Sequence, residues 1–144
     1  MTRILIDTCV IIDVLQKREP FWKNASKVFL AAATEKIEAV ITAKSLTDIY
    51  YLTHRCTHDD KKTRDVILKL LELFKLADTA ADDFINALAS EVSDYEDAVL
   101  VESAVRIEAD YIMTRNINDY KKSPVPVILP EDFYLFKIDY LDIS

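Results

Sequence analysis

Ile4-Leu5-Ile6-Asp7, near the amino terminus, is an apolar run of strand length that ends directly in an acid. Three later segments offer acidic or polar oxygen in a similar position. They are Thr47-Asp48, Asp94-Tyr95-Glu96-Asp97, and Thr114-Arg115-Asn116 with Asp119 close behind. Carboxylates gathered from distant segments repel one another by roughly 4 kcal/mol per pair at ~4 Å and an effective dielectric of ~20. The pattern therefore predicts a bound divalent metal, and oxygen ligands indicate magnesium or manganese.

Length and charge limit the kind of protein this is. With 144 residues the chain has the size of one domain, and we expect a single domain over residues 1–144 with its own core. Its 25 Asp and Glu against 18 Lys and Arg leave a formal net charge of -7, which argues against unaided binding to a phosphate backbone. A nucleic-acid partner would need a local basic patch, or a metal that reverses the sign of the cleft.

Rare and absent residues restrict the function further. The two cysteines, Cys9 and Cys56, lack metal-ligand spacing, so we expect a reduced, cytoplasmic protein. Asp7 and Asp13 come too early for the apolar region of a signal peptide, and a membrane helix would need about 18 consecutive apolar residues, so no membrane association is expected. Glycine is absent, which excludes the Gly-rich phosphate loops of nucleotide-binding folds, because those loops need residues that tolerate positive φ.

Short apolar runs alternate with longer stretches of helical period. Strands are predicted at residues 3–6, 38–42, 75–77, 111–114 and 125–129. Helices are predicted at residues 8–16, 20–34, 45–53, 60–74, 80–89 and 94–107, with Thr8 as the cap of the first and a terminal helix from Pro130. This alternation is typical of a parallel sheet covered on both faces. In such sheets the site lies beyond the carboxyl ends of the strands, where Asp7 and Thr114 are expected.

In this order the segments resemble the PIN domain family, a small α/β nuclease fold found in toxins of bacterial and archaeal toxin–antitoxin pairs, and in particular its VapC-like ribonucleases. The matching pieces span nearly the whole chain, and the ordered set is more specific than any piece. The pieces are Ile4-Leu5-Ile6-Asp7-Thr8-Cys9-Val10, Ala43-Lys44-Ser45-Leu46-Thr47-Asp48-Ile49-Tyr50-Tyr51, Asp94-Tyr95-Glu96-Asp97-Ala98, Ala109-Asp110-Tyr111-Ile112-Met113-Thr114-Arg115-Asn116, and Val125-Pro126-Val127-Ile128-Leu129-Pro130-Glu131-Asp132-Phe133.

The resemblance implies a three-layer α/β/α fold with a five-stranded parallel sheet in the order 3-2-1-4-5, a Mg²⁺ or Mn²⁺ ion held by three or four acids, and hydrolysis of RNA. Asp7 matches the first acid of the family, Asp48 the second, Asp97 the third, and the stretch from Asn116 to Asp119 the fourth. Asp48 stands where the family usually has Glu, so it is one methylene shorter and is expected to reach the ion through water. Asn116 offers a neutral oxygen, which leaves open whether Asp119 completes the cluster. A weaker or single-metal site is the expectation.

The residue types indicate what these groups would do. We expect Asp7, Asp48 and Asp97 to hold one ion that polarises a phosphoryl oxygen and lowers the pKa of a coordinated water. Asp94 lies three residues before Asp97 on a predicted helix, so both face the same point. Either Asp94 or Asp119 is expected to assist a second ion or to support the first from the outer shell.

Four further polar residues complete the predicted site. Thr114 and Asn116 are placed to hydrogen-bond a carboxylate or a phosphate oxygen. Arg115 and Lys44 are candidate phosphate contacts.

Each assignment has a structural alternative. Asp7 and Asp94 are also placed to cap the helices that follow them, and Asp48 and Asp119 also fit ordinary surface positions. His54 and His58 have the spacing of a zinc pair but no second pair of ligands, so exposed residues in a loop around Cys56-Thr57 are the preferred interpretation. Two further sets are better explained by a solvated helix face and by core or interface than by RNA contact. They are Lys61, Lys62 and Arg64, and Phe21, Trp22, Phe29, Tyr50 and Tyr51.

Three functions are consistent with these observations. A metal-dependent ribonuclease is favoured, acting as the toxin of a type II toxin–antitoxin pair, with an RNA substrate, a small antitoxin partner and a homodimer built on the apolar helices between Phe21 and Phe74. A catalytically silent PIN-like module that binds RNA or protein is the alternative that the departures at Asp48 and Asn116 permit. A phospho-accepting receiver domain ranks last, since Pro130 and Glu131 stand where its lysine would fall.

Overall fold

A parallel sheet organises the chain, and its strands are ordered β3-β2-β1-β4-β5 in the part that the computed structural model describes, residues 1–136. The strands are β1 (Arg3–Ile6), β2 (Glu38–Thr42), β3 (Lys75–Ala77), β4 (Tyr111–Met113) and β5 (Val127–Ile128). Every adjacent pair is parallel, with Ile4 of β1 in register with Ala39 of β2 on one side and Tyr111 of β4 on the other. The predicted sheet and its strand order are confirmed.

Six α-helices connect the strands within residues 1–136. They are α1 (Thr8–Leu15), α2 (Trp22–Ala33), α3 (Ala43–Thr57), α4 (Asp60–Leu73), α5 (Ala81–Ala87) and α6 (Tyr95–Arg106), and two 3-10 turns follow at Ile117–Tyr120 and Pro130–Phe136. Side chains alternate across the central strand, as the pleat requires. Ile4 and Ile6 pack in one buried cluster with residues of α1 to α4, while Leu5 packs in a second with residues of α6. The sheet is thus covered on both faces, in three layers.

Several predicted boundaries and caps are wrong. Asp7, not Thr8, is the N-cap of α1 and accepts a hydrogen bond from the Thr8 N–H at 2.8 Å. Helix α2 begins at Trp22 rather than Pro20. Helix α3 runs through Cys56 to Thr57, where a loop was predicted, because the chain leaves the helix only at His58 with a left-handed φ of 52°.

The carboxyl-terminal prediction is corrected in part. The segment from Pro130 forms a 3-10 turn that extends to Phe136, not an α-helix, and the remainder of the predicted helix lies outside the described residues. Phe133 in this turn is 2% exposed and joins the same core cluster as α2. The turn therefore covers apolar surface even without regular α-helical hydrogen bonding.

Candidate active site

The carboxyl ends of β1 and β4 meet at one edge of the sheet and bring Asp7 and Thr114 together. Because these strands are parallel neighbours, the residues that follow them lie side by side. The Asp7 N–H donates to the Met113 carbonyl at 2.9 Å, and the Thr114 hydroxyl donates to Oδ2 of Asp7 at 2.8 Å. The Cys9 thiol lies 3.8 Å from the same oxygen. Asp7 is therefore held both as a helix cap and by the end of the next strand.

The Tyr120 hydroxyl joins Asp7 to Asp97, the acid in the first turn of α6. It lies 3.1 Å from Oδ2 of Asp7 and 3.1 Å from Oδ1 of Asp97, and the whole residue is only 2% exposed. A phenol has one proton to donate, so it fully satisfies only one of the two carboxylates at a time. Two acids that are far apart in sequence thus converge on one atom.

Burial makes both carboxylates reluctant to ionise. It raises the pKa of Asp7 above its ordinary value, although hydrogen bonds from Thr114, Tyr120, the Thr8 N–H and Cys9 act in the opposite direction. Burial also raises the pKa of Asp97, to about 6, against the hydrogen bond from Tyr120 and with added repulsion from the charges of Asp94, Asp7 and Asp119. Each pKa would fall if a cation entered between the acids, because a nearby positive charge stabilises a carboxylate.

Asp48 lines the same cleft but is paired with a lysine. The cleft has a volume of about 330 Å³ and is bordered by Asp7, Asp48 and Asp97 together. Lys44 Nζ lies 2.8 Å from Oδ2 of Asp48 and 3.7 Å from Oε2 of Glu96. Although burial lowers the pKa of Lys44, the hydrogen bond and charge of Asp48, helped by Glu96, raise it overall. The ammonium ion therefore bridges α3 and α6 across the cleft.

The remaining predicted acids lie around this centre. Asp94 is the N-cap of α6 and accepts from the Glu96 N–H at 2.9 Å, so its capping role is present. Asp119 is exposed in the 3-10 turn before Tyr120. Both acids raise the pKa of Asp97 through their charge, which places them near enough to influence a cation bound there.

The segment after β4 supports the site rather than lining it. Arg115 donates to both carboxylate oxygens of Asp13 at 2.8 and 3.1 Å, and its guanidinium lies 4.3 Å from the centre of the Phe21 ring. Asp13 is 1% exposed, so this pair ties the segment to α1. The exposed Asn116 donates through its backbone N–H to the Thr114 hydroxyl at 3.1 Å. The Thr114 hydroxyl thus accepts a hydrogen bond from Asn116 and donates one to Asp7.

Tyr120 belongs to the site although no motif in the sequence points to it. Its position directly after Asp119 is the signal that was available. Lys44 was predicted as a phosphate contact, whereas the structure pairs it with a predicted metal ligand. His54 stacks on the Tyr50 ring, and the exposed His58 ends the helix. No zinc arrangement is present among the residues that the structure describes.

The oxygen donors of the cleft meet part of what a hard divalent cation requires. Within the described residues, no group of three or more acidic, histidine or cysteine side chains is arranged to hold a metal ion. Asp7 and Asp97 both lie within hydrogen-bond distance of the Tyr120 hydroxyl. Magnesium is commonly bound by one or two carboxylates together with water and substrate phosphates. The two acids satisfy that requirement, and Asp48 lines the same cleft.

No helix in the described part of the chain is both long and apolar enough to cross a membrane.

Known proteins share this architecture. A family model described as a PIN domain matches residues 3–118. The structure is similar to VapBC2 of Rickettsia felis, solved with a DNA fragment from the promoter, with 14% identity, a TM-score of 0.68, and coverage of 89% of this chain and 98% of the other. It is also similar to a toxin–antitoxin complex of Klebsiella pneumoniae (20% identity, TM-score 0.64, coverage 88% and 97%). FitAcB of Neisseria gonorrhoeae is a third similar structure, with 17% identity, a TM-score of 0.64, and coverage of 88% of this chain and 97% of the other. No curated protein matches in sequence.

Proposed function

This chain belongs to the PIN domain family, and from that premise we propose that it is a divalent-metal-dependent ribonuclease that serves as the toxin of a toxin–antitoxin pair. The convergence of Asp7 and Asp97 on the Tyr120 hydroxyl, in an open cleft, is the observation that supports this function most strongly. Two partly buried acids with raised pKa values form a site that a cation would stabilise.

Asp7, Asp97 and, through water, Asp48 would hold Mg²⁺ or Mn²⁺. Such an ion, when bound, polarises a phosphoryl oxygen and lowers the pKa of its coordinated water. Thr114 orients Asp7 through their 2.8 Å hydrogen bond, and Tyr120 keeps Asp7 and Asp97 a fixed distance apart. Asp94 and Asp119 would act from the outer shell, adding negative charge that favours a cation.

The RNA backbone would enter along the cleft face of α3. Lys44, Tyr51 and Arg55 lie on this face together with Asp48, and all four border the cleft. Tyr51 is 65% exposed, so its ring is available to stack on a base. Arg55 supplies positive charge where the chain as a whole is negative, with a formal net charge of -7, which is the local basic contact that RNA binding requires.

A homodimer and an antitoxin partner complete the proposal. Leu30 of α2 and Leu68 of α4 are 65% and 61% exposed, so both helices present apolar surface that a second copy could cover. The structural relatives were solved as toxin–antitoxin assemblies, which supports a small inhibitory partner here. Sedimentation of the purified chain should show a dimer, and co-expression with a small neighbouring reading frame should yield a complex.

The nuclease is tested by incubating an RNA pool with the protein in Mn²⁺ and then in chelator. We expect cleavage in Mn²⁺ only, and its loss in the Asp7→Asn, Asp97→Asn double variant, which should also lose the calorimetric Mn²⁺ binding of the wild type. A matched control is Asp82→Asn, Glu91→Gln, which removes two exposed acids that do not line the cleft. Cleavage that persists in chelator or in the double variant would reject the proposed mechanism.

A silent PIN-like module is the second candidate. It is favoured by two observations: Asp48 is paired with Lys44, and the described residues contain no cluster of three metal-binding side chains. This function predicts RNA or protein binding without cleavage under any metal condition. The same incubation decides between the two candidates.

A further inference from the structure

Lys44 is placed against the electrostatics of its own helix. It is the second residue of α3, close to a helix N-terminus where the partial charge is positive and a cation is disfavoured. Its pair with Asp48 runs in the order lysine then acid at a spacing of four, which is the weaker orientation for such a pair on a helix. Local helix stability therefore does not explain why a lysine stands at position 44.

Tertiary structure gives Lys44 a different role. Its ammonium lies between Asp48 on α3 and Glu96 on α6, at 2.8 and 3.7 Å, and all three residues border the cleft that contains Asp7 and Asp97. Lys44 thus supplies a positive charge to the acid that the family pattern assigns to the metal. Asp48, in turn, takes no part in a three-ligand group among the described residues.

We propose that Lys44 is an internal counter-ion that competes with the divalent metal for Asp48 and so weakens metal binding. This inference rests on the proposed metal-dependent function. While Lys44 is paired with Oδ2 of Asp48, its positive charge opposes a cation that approaches that carboxylate, and binding depends mainly on Asp7 and Asp97. Full use of Asp48 requires the lysine to leave, so the Lys44–Asp48 pair sets how much free metal the protein needs.

The strength of this competition is set by exposure. The side chains of Lys44 and Asp48 are 30% and 43% exposed, so solvent weakens their attraction and the lysine is displaceable. Removing Lys44 should therefore tighten metal binding about fivefold, which is the upper range for a partly exposed ion pair. Repulsion between an ammonium and a divalent ion in the same cleft acts in the same direction.

The test is calorimetric titration of Mn²⁺ into the wild type and three lysine variants. We expect Lys44→Gln to bind Mn²⁺ about fivefold more tightly than the wild type, and Lys44→Arg to bind like the wild type because it keeps the charge. Lys75→Gln is the control, since Lys75 also forms an ion pair, with Glu38 at 3.0 Å, but lies at the start of β3 away from the cleft. It should leave the Mn²⁺ affinity unchanged.

The outcomes separate this inference from the proposed function. If the wild type binds Mn²⁺ and Lys44→Gln binds equally or more weakly, the counter-ion role is overturned and the metal site stands. If neither protein binds Mn²⁺, both are overturned. Binding by Lys44→Gln alone would support the competition in its strongest form. Melting curves in chelator confirm that each variant is folded.

A double-variant cycle locates the effect at Asp48. In an Asp48→Asn background the carboxylate for which Lys44 competes is absent, so Lys44→Gln should give clearly less than its fivefold gain. An equal gain in both backgrounds would show that Lys44 acts by general charge rather than through Asp48, and would overturn the inference.

Discussion

At the scale of single residues, Tyr120 joins the two acids of the candidate site. Its one proton is shared between Asp7 and Asp97 at 3.1 Å each, in surroundings where burial already disfavours the charge of both acids. Carboxylates in this condition cost folding free energy when both are ionised.

Replacing Asp97 by Asn should stabilise the metal-free protein at pH 7. The pKa of Asp97 is raised from 3.8 to about 6, so the folded state binds this proton more tightly than the unfolded chain. Its favourable contribution is present below about pH 4 and is lost as the pH rises through about 6. Asn carries no charge at any pH, so we expect a melting temperature higher by a few degrees at pH 7 and little gain at pH 4.

Melting curves at the two pH values measure this effect. Asp65→Asn, which removes an exposed acid on α4, is the control and should show no such pH-dependent gain. A lower melting temperature for Asp97→Asn at pH 7 would mean that the ionised carboxylate is stabilising in the folded state.

At the scale of elements, the contact between α5 and α6 positions Asp97. Asp83 of α5 is 2% exposed and accepts hydrogen bonds from Ser103 at 2.8 Å and from Arg106 at 2.9 Å, both on α6. It also accepts from the Ala80 N–H at 2.9 Å. Burial acts to raise the pKa of Asp83, but the hydrogen bonds from Arg106, the Ala80 N–H and Ser103, together with the charge of Arg106, hold it below its ordinary value. The buried carboxylate thus locks the helix that carries Asp97.

Asp83→Ala should destabilise the protein strongly. The change leaves the buried Ser103 hydroxyl without its acceptor and removes the carboxylate paired with Arg106, whose side chain is 37% exposed. Loss of a hydrogen-bonding partner by a buried polar group costs roughly 1 to 3 kcal/mol. Urea unfolding measures the loss. The exposed neighbour Asp82 provides the matched control, since Asp82→Ala should change the free energy of unfolding by no more than about 0.5 kcal/mol. Equal losses for the two variants would show that the Asp83 network contributes little.

At the scale of the whole molecule, the sheet brings distant charges together and the metal would offset them. The chain has a formal net charge of -7, and the strand order places β1 beside β4, so Asp7 meets residues more than one hundred positions later, such as Thr114. The fold accumulates negative charge at this edge. A cation bound there would couple folding to metal binding.

Mn²⁺ should therefore raise the melting temperature of the intact protein. A ligand that binds only the folded state adds about 2.7 kcal/mol to its stability at a hundred times its Kd. Thermal melting with increasing Mn²⁺ should show a rise that continues with concentration. Asp7→Asn removes the central acid and should abolish the rise, whereas a rise of the same size in that variant would place the stabilising ion elsewhere.

Local patterns were sufficient for the elements but not for their ends. The apolar run of β1 and the helical period of α6 were predicted within about one residue, because burial on one or both faces leaves a periodic record in the sequence. The end of α3 was not predicted correctly, because the left-handed conformation that ends it falls on His58 rather than on a Gly or Asn that would signal it. The start of α2 at Trp22 was missed because Pro20 also fits a first helical turn.

For the candidate site, the sequence indicated which residues take part but not which contacts they make. Asp7, Asp48 and Asp97 were expected in one place, and they border one cleft, because parallel strands direct their carboxyl ends to the same edge. Arg115 was expected to contact a substrate phosphate or to support the site from the outer shell, and the structure pairs it with Asp13. A buried acid on α1 is a stronger partner for it than solvent, and nothing near Arg115 in the sequence indicates that acid.

The sequence alone thus determined the succession of strands and helices along the chain, the parallel sheet and the identity of the acids at its edge, because hydrophobic period and residue type are local properties. Only the tertiary structure decided which oxygen and nitrogen atoms meet: Tyr120 between Asp7 and Asp97, Lys44 beside Glu96, and Arg115 on Asp13. These contacts join residues from separate elements or depend on how a side chain is directed into the cleft. They follow from the packing of helices against the sheet, which no single stretch of sequence specifies.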